Sequence, residues 1–307
     1  MGPRTDKGRG RPLSAQTVAI RDAVAELETE QTRMTVRGIF YACVSRGVVE
    51  KTEGGYRQVQ RQVLAMRNTG LLGWAFVADS TRWQRKPTSY GSVEDALADA
   101  ARTYRRDLWR AQDCRVEVWL EKDALAAIVQ QATVPWDVSL MVSRGTSSAT
   151  FLHAAAEAAV EAYAGSDPYN GPDWPGTKTE ILALYDFDAG GERSARAVEQ
   201  DLPEHARKIL GLPHAIDFIE FTRLAILPWQ IAAWNLPTRP AKKSDPEAHK
   251  FGAEAVELDA IPPDILVQWV SDAIEDNVSG DEWELEKTIE AEERKALKML
   301  PERWKGV

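Results

Sequence analysis

Apolar and polar positions recur along this chain with two different periods, and the change falls near residue 114. Before it the spacing is helical. Ser14 is placed to cap a helix over 14–32, in which Ile20, Val24 and Leu27 return at helical spacing. Thr35 caps a second helix, and Gly47 ends it. A third covers 56–69 and is closed by Gly70. Its register turns Val59, Val63 and Met66 inward and leaves Arg57, Gln58, Arg61, Gln62 and Arg67 largely outward. Residues 71–77 then read as a short hairpin. Three helices followed by a hairpin predict a winged helix-turn-helix.

Residues 81–113 are polar and charged around a helix over 93–109, and read as a linker. Beyond them the pattern alternates. Strands are predicted over 115–120, 137–143, 181–185 and 215–221. The first leads into Glu121 and a helix from Asp123. The second leads into Arg144, Gly145, Thr146, Ser147 and Ser148, then an Ala-rich helix to Ala164. The third leads into Asp186-Phe187-Asp188-Ala189-Gly190-Gly191 and another helix. Alternation of this kind predicts a parallel α/β sheet. From about Leu224 the chain reads mostly helical and acidic, and no internal repeat is visible. The expected class is α/β with an N-terminal, mainly helical domain. Its parts are a basic tail over 1–12, a winged-helix unit over 13–80, the linker over 81–113, the sheet domain over 114–235 and an acidic helical extension over 236–307.

Composition narrows the function. Of 307 residues, 44% are hydrophobic and 28% charged, the balance of a folded globular chain. No apolar run reaches the roughly 18 residues of a membrane span, and the start lacks the apolar core of a secretory signal. Two cysteines, Cys43 and Cys114, make neither a disulfide framework nor a cysteine-based zinc site, and the four histidines are scattered. A cytoplasmic, nucleoid-associated protein is expected. The net charge of −9 hides an asymmetry: residues 1–112 carry +7 and residues 113–307 carry −16. A basic front half suits a polyanion, and duplex DNA is the expected partner.

Ligands of an open parallel sheet sit at the carboxyl ends of its strands. Glu121 follows the first strand directly, and Asp186 and Asp188 follow the third. Any one of these acids is accounted for as a helix cap. Three together at neighbouring strand ends repel one another and call for a hard cation, Mg²⁺ with oxygen ligands. Gly190 and Gly191 let the chain turn into the next helix without blocking the crevice.

Val118-Trp119-Leu120-Glu121-Lys122, followed by Asp186-Phe187-Asp188-Ala189-Gly190-Gly191, resembles the Toprim domain of topoisomerases, primases and related nucleases. The resemblance implies that Glu121, Asp186 and Asp188 serve a Mg²⁺ site for phosphodiester chemistry, with Mn²⁺ as a substitute. Arg144-Gly145-Thr146-Ser147-Ser148 resembles a loop of the family near the same site. Thr35-Val36-Arg37-Gly38-Ile39-Phe40-Tyr41 is similar to the segment of topoisomerase VI A subunits, and of their meiotic double-strand-break relatives, that carries the catalytic tyrosine. It implies Tyr41 as nucleophile and Arg37 as the accompanying arginine. Residues 240–245 and 256–263 resemble C-terminal motifs of the same subunits, so the resemblance runs from about 33 to 275 in the family's order. Gly38 stands where the family often has an acid, and Ala189 where it often has a proline.

Physical chemistry supports a role for these groups. A phenol with a pKa of about 10 is a weak nucleophile at neutral pH and needs help. Arg37 lies one helical turn before Tyr41 and can hold the phosphate under attack, while a metal on Glu121, Asp186 and Asp188 stabilises the leaving oxygen. A tyrosine beside Phe40 is equally at home in a core. Elsewhere, Arg9-Gly10-Arg11-Pro12 matches the core of an AT-hook. Arg57, Arg61 and Arg67 suit phosphate contacts as well as a solvated helix face. The near-match to a phosphate-binding loop over 171–178 is rejected, because its lysine is displaced and it precedes a strand.

The reading is a Mg²⁺-dependent DNA-cleaving transesterase resembling a minimal topoisomerase VI A subunit. The alternative is a Toprim nuclease, as in plasmid-defence systems, in which water attacks and Tyr41 is structural. A third is a non-catalytic DNA-binding protein. The expected partners are duplex DNA, a second copy of the chain whose Tyr41 reaches the opposite metal site, and a separately encoded ATPase subunit or condensin-like complex. No membrane is expected.

Overall fold

A computed structural model describes residues 13–30, 33–78, 88–145, 147–164, 176–213, 216–240 and 254–304, with only the backbone over 301–304. The chain opens with three helices, α1 (Ala15–Glu30), α2 (Val36–Ser45) and α3 (Glu53–Asn68). Each follows the periodicity of its sequence: Ile20, Val24 and Leu27 are buried on α1, and Val59, Val63 and Met66 on α3. Thr35 and Thr52 cap α2 and α3 through side-chain oxygens that accept from Gly38 and Gly55 N–H.

The hairpin expected over 71–77 is replaced by a 3₁₀ turn at Trp74–Phe76. Val77 instead makes a single parallel bridge to Met34, with Met34 N–H donating to Phe76 O at 2.9 Å and Ala78 N–H to Met34 O at 2.8 Å. Burial of Phe76 favours this arrangement, because the turn drops its ring into the helical core.

The helix expected over 93–109 is α4 (Val93–Thr103), which stops earlier. The chain beyond it turns at 108–111, where Leu108 and Trp109 reach the core.

β1 (Cys114–Leu120), β2 (Ser139–Val142), β3 (Lys178–Leu184) and β4 (Ile219–Ala225) form one parallel sheet in the order β2-β1-β3-β4. The connecting helices are α5 (Ala126–Thr133), entered through a 3₁₀ turn at Asp123–Leu125, α6 (Ala149–Ala164) and α7 (Ala189–Leu210). The fourth strand lies further along than expected, because Leu224 and Ala225 are buried at the sheet's carboxyl edge. Beyond it come α8 (Pro228–Ala233), a two-residue pair of β5 (Arg239–Pro240) with β6 (Glu254–Ala255), α9 (Pro263–Glu275) and α10 (Gly280–Trp304).

One apolar cluster runs from Ile20 on α1 through Val118, Leu120 and Leu184 of the sheet to Val270 on α9 and Trp283 on α10. A second, under α6 and α7, fills the other face of the sheet around Trp119, Ile181 and Tyr185. Residues 104–112, expected as linker, are tied to α10. Arg106 pairs with Glu286 and Glu293, and Trp109 meets Trp283 edge-on at 5.3 Å while its Nε1–H donates to Trp136 O at 2.8 Å.

Trp283 is 3% exposed and Trp229 is 50% exposed. Trp283→Ala should therefore lower the unfolding free energy by about 3–5 kcal/mol, and Trp229→Ala by markedly less. Urea unfolding of both variants checks this; equal losses would contradict the core described.

Candidate active site

β1 and β3 are neighbours in register, with Leu120 opposite Leu184, so the residues that follow each strand emerge side by side. Glu121 leaves β1, and its Oε2 accepts the Asp186 N–H at 3.1 Å. Asp188 caps α7: its Oδ1 accepts from Gly190 and Gly191 N–H, each at 2.9 Å. Gly191 has to be glycine, since a Cβ there would stand 2.2 Å from the Asp186 carbonyl oxygen. The Glu121 carboxyl is pushed above its ordinary pKa, first by burial, then by the Asp186 charge, with Asp188 adding to it. The three carboxylates picked from sequence thus share one edge and feel one another.

Two further acids arrive from the C-terminal part. Phe187 and Val256 exchange both backbone hydrogen bonds, at 2.9 and 3.0 Å, and this carries Glu257 and Asp259 to the same edge. Lys122 lies among them. Its Nζ is 3.0 Å from Asp186 Oδ2, 3.1 Å from Glu257 Oε2 and 2.9 Å from Asp259 Oδ2. Burial opposes the charge on Lys122, but Asp259, Asp186 and Glu257 together outweigh it and raise its pKa. For Asp186 burial prevails over Lys122, and its pKa is raised. Burial likewise pushes Glu257 up, yet Lys122, Arg37 and Arg239 bring it below the usual value. Arg239 joins two acids, Asp188 Oδ2 at 3.1 Å and Glu257 Oε1 at 3.2 Å. Arg223 pairs with Glu192 at 3.1 Å and donates to the Asp186 carbonyl at 3.0 Å.

α2 meets the same cluster. The Thr35 hydroxyl that caps it donates to Asp259 Oδ1 at 3.1 Å. Arg37 Nε stands 3.2 Å from Glu257 Oε2, with half its side chain exposed. Tyr41 is only 3% exposed, and its hydroxyl faces Glu257 of its own chain. Burial first, then the Glu257 charge, pushes the phenol up to about 12, against the pull of Arg37 and Lys122. Lys51 Nζ sits 5.1 Å from the centre of the Tyr41 ring, and burial lowers its pKa to about 8.

The other residues picked from sequence fall at the margins. Arg144 is mostly exposed and pairs with Asp123 at 3.1 Å. Ser147 is buried, while Ser148 caps α6 by accepting the Phe151 N–H at 3.2 Å. Arg57 and Arg61 lie exposed on α3, Arg57 beside Glu53 at 3.3 Å. The Arg67 guanidinium lies over the Trp74 ring at 4.0 Å. Arg9 and Arg11 lie outside the described residues, as do 171–175 and 241–245.

Lys122, Glu257 and Asp259 fall within motifs noted in the sequence, but neither they nor Arg239 and Arg223 were given a role from it. Two signals pointed to them: Lys122 follows Glu121 directly, and Glu257 and Asp259 alternate with the apolar Val256, Leu258 and Ala260. Among the described residues no three His, Cys, Asp or Glu side chains stand grouped to hold a metal ion. The donor chemistry at the strand ends is nonetheless all carboxylate oxygen, which suits a hard divalent cation. No protein-family model matches the chain, and no curated protein matches it.

Removing Lys122 leaves buried carboxylates without their shared cation. Lys122→Met should cost about 3–5 kcal/mol at neutral pH, the scale of breaking a buried ion pair. The sign with pH follows from linkage. Without Lys122, the already raised Asp186 rises further and Glu257 loses the cation that lowers it most, so the variant loses stability relative to wild type as pH rises through the carboxylate range. Its deficit against wild type should shrink towards about pH 4. Urea melts across pH test this, and a deficit independent of pH would refute it.

Proposed function

We propose that this chain cleaves phosphodiester bonds of duplex DNA with the help of a divalent metal, and that water is the attacking group. The reading is carried by the gathering of Glu121, Asp186 and Asp188 at one sheet edge, where burial first and then the neighbouring charges raise the Glu121 carboxyl. These three are the residues that would hold Mg²⁺, or Mn²⁺ in its place. When bound, such an ion supplies Lewis-acid stabilisation of the phosphate and of the leaving oxygen. Arg37, half exposed beside the cluster, can take a phosphate oxygen. Lys122 and Arg239 fix the orientation of Asp186 and Asp188. Arg57 and Arg61 on α3 offer positive charge to the DNA backbone.

Water is preferred to Tyr41 on the state of the phenol. A nucleophile must reach its target and lose its proton, and Tyr41 is 3% exposed with its pKa pushed up to about 12. A second reading, the phosphotyrosyl transesterase, has one observation in its favour. The Tyr41 hydroxyl faces Glu257, a carboxylate of the same cluster that can accept its proton.

Cleavage of duplex DNA by the full chain should require Mg²⁺ or Mn²⁺ and stop in EDTA. Glu121→Gln or Asp188→Asn should lower the rate by about 100-fold or more, as losing a charge-stabilising group does. Asparagine caps a helix as aspartate does, so Asp188→Asn keeps α7 intact. Full activity in EDTA would sink the metal reading.

Tyr41→Phe separates the two attacking groups. Phenylalanine keeps the ring and its packing. Hydrolysis by water predicts near-normal cleavage by Tyr41→Phe and no protein–DNA adduct when wild type is stopped with detergent. An adduct in wild type that disappears together with cleavage in Tyr41→Phe would establish the second reading.

Binding to duplex DNA should weaken steeply with salt. The double change Arg57→Ala with Arg61→Ala should flatten the log–log salt slope by about 2, roughly one for each phosphate no longer neutralised. An unchanged slope would remove α3 from the DNA-binding face.

A further inference from the structure

Buried polar groups are nearly always paired, because an unpaired one keeps the full cost of leaving water. Three buried hydroxyl oxygens around the carboxyl edge of the sheet have no such partner: Ser143 Oγ, Ser147 Oγ and Tyr185 Oη. The Tyr185 side chain is wholly buried, and Ser147 is 9% exposed. The Ser143 hydroxyl faces that of Tyr185 without closing a well-formed hydrogen bond.

Their surroundings are specific. Ser143 N–H donates to Leu120 O at 3.0 Å and Gly145 N–H to Glu121 O at 3.3 Å, which folds the loop over the strand end that carries Glu121. Ser148 then starts α6, a helix of 16 residues whose first-turn N–H groups and dipole favour negative charge at this end. Two arginines flank the loop: Arg144, largely exposed, and Arg223, whose guanidinium lies 5.6 Å from the centre of the Tyr185 ring. The unspent groups are donors, the fixed charges nearest them include cations, and Glu121 stands alongside.

We propose that Ser143, Ser147 and Tyr185, with the N-terminus of α6, form a subsite that receives a phosphate group of the nucleic-acid substrate next to Glu121. The subsite deepens the nuclease reading and rests on it for the source of the phosphate. The hydroxyls stay unpaired in the free protein because their acceptor is the phosphate. Three hydroxyl donors and a helix N-terminus bind phosphate oxygens without base specificity, so the subsite positions the backbone and leaves sequence unread.

The test is a titration of the full chain with inorganic phosphate, at fixed ionic strength and in the presence of Mg²⁺, followed by ³¹P line width. Wild type should saturate, and Ser147→Ala and Tyr185→Phe should each weaken binding tenfold or more. Without phosphate, neither change should lower the melting temperature, because each removes a buried hydroxyl that has no protein partner. Binding that is absent, or unaltered in both variants, overturns the subsite. A melting temperature lowered in both overturns it as well, by giving the hydroxyls a structural role. A duplex oligonucleotide should displace the bound phosphate. Failure to displace it overturns the assignment to the nucleic-acid backbone in favour of free phosphate. Cleavage is read separately. Saturable, Ser147-dependent phosphate binding by a protein that cuts no DNA upholds the anion subsite and overturns the nuclease reading; metal-dependent cutting without such binding does the reverse.

Discussion

One ammonium group organises the carboxyl edge of this protein. Lys122 leaves the end of β1 and meets Asp186 from the end of β3 and Glu257 and Asp259 from the segment after β6. A charge taken out of water is tolerated only when it is paired, and each of these groups supplies what another lacks. Through Thr35 on Asp259, and Arg37 and Tyr41 on Glu257, the same group reaches α2. Segments more than a hundred residues apart are thereby held to one register. The apolar cluster running from α1 to α10 supplies most of the attraction but is not directional. The ion pairs supply direction.

What could be read from sequence was local. The buried stripes of α1 and α3, the alternation in β1 and β3, and the cap at Asp188 depend on residues within a turn or two of one another. Glu121, Asp186 and Asp188 were found because strand ends in a parallel sheet have a known use. What escaped was set by distant partners. Residues 71–77 form no hairpin because Val77 pairs with Met34. The fourth strand is displaced towards Ala225 because its burial is decided by β3 alongside it. The pairing of Lys122 with Glu257 and Asp259 spans 135 and 137 residues, and no periodicity carries that information.

The charges at this edge divide unevenly. Asp186 is bound on both oxygens, by Lys122 and by the Leu258 N–H, and Asp188 by Arg239 and the start of α7. Glu121 faces Asp186 and Asp188 with a single backbone donor, and burial first, then the Asp186 charge, raises its pKa. A buried carboxylate with two more acids beside it is the electrostatic pattern on which the proposed metal site rests. Ordinary helix caps do not need it, since capping alone leaves no neighbouring repulsion to be relieved.

The two attacking groups ask different things of this architecture. Water needs only access to the strand ends, and the lattice of Lys122 and Arg239 on Asp186, Asp188 and Glu257 does not depend on α2. Attack by Tyr41 would need α2 itself to move, because its ring is buried against Phe40 at 5.3 Å and its hydroxyl faces Glu257. That motion breaks the bond from Thr35 to Asp259 and separates Arg37 from Glu257, yet leaves Glu257 held by Lys122 and Arg239. The acidic edge therefore survives the departure of α2, whereas Tyr41 cannot reach a phosphate while α2 stays. On the proposed reading, hydrolysis asks no movement of α2, whereas transesterification would call for a second conformation.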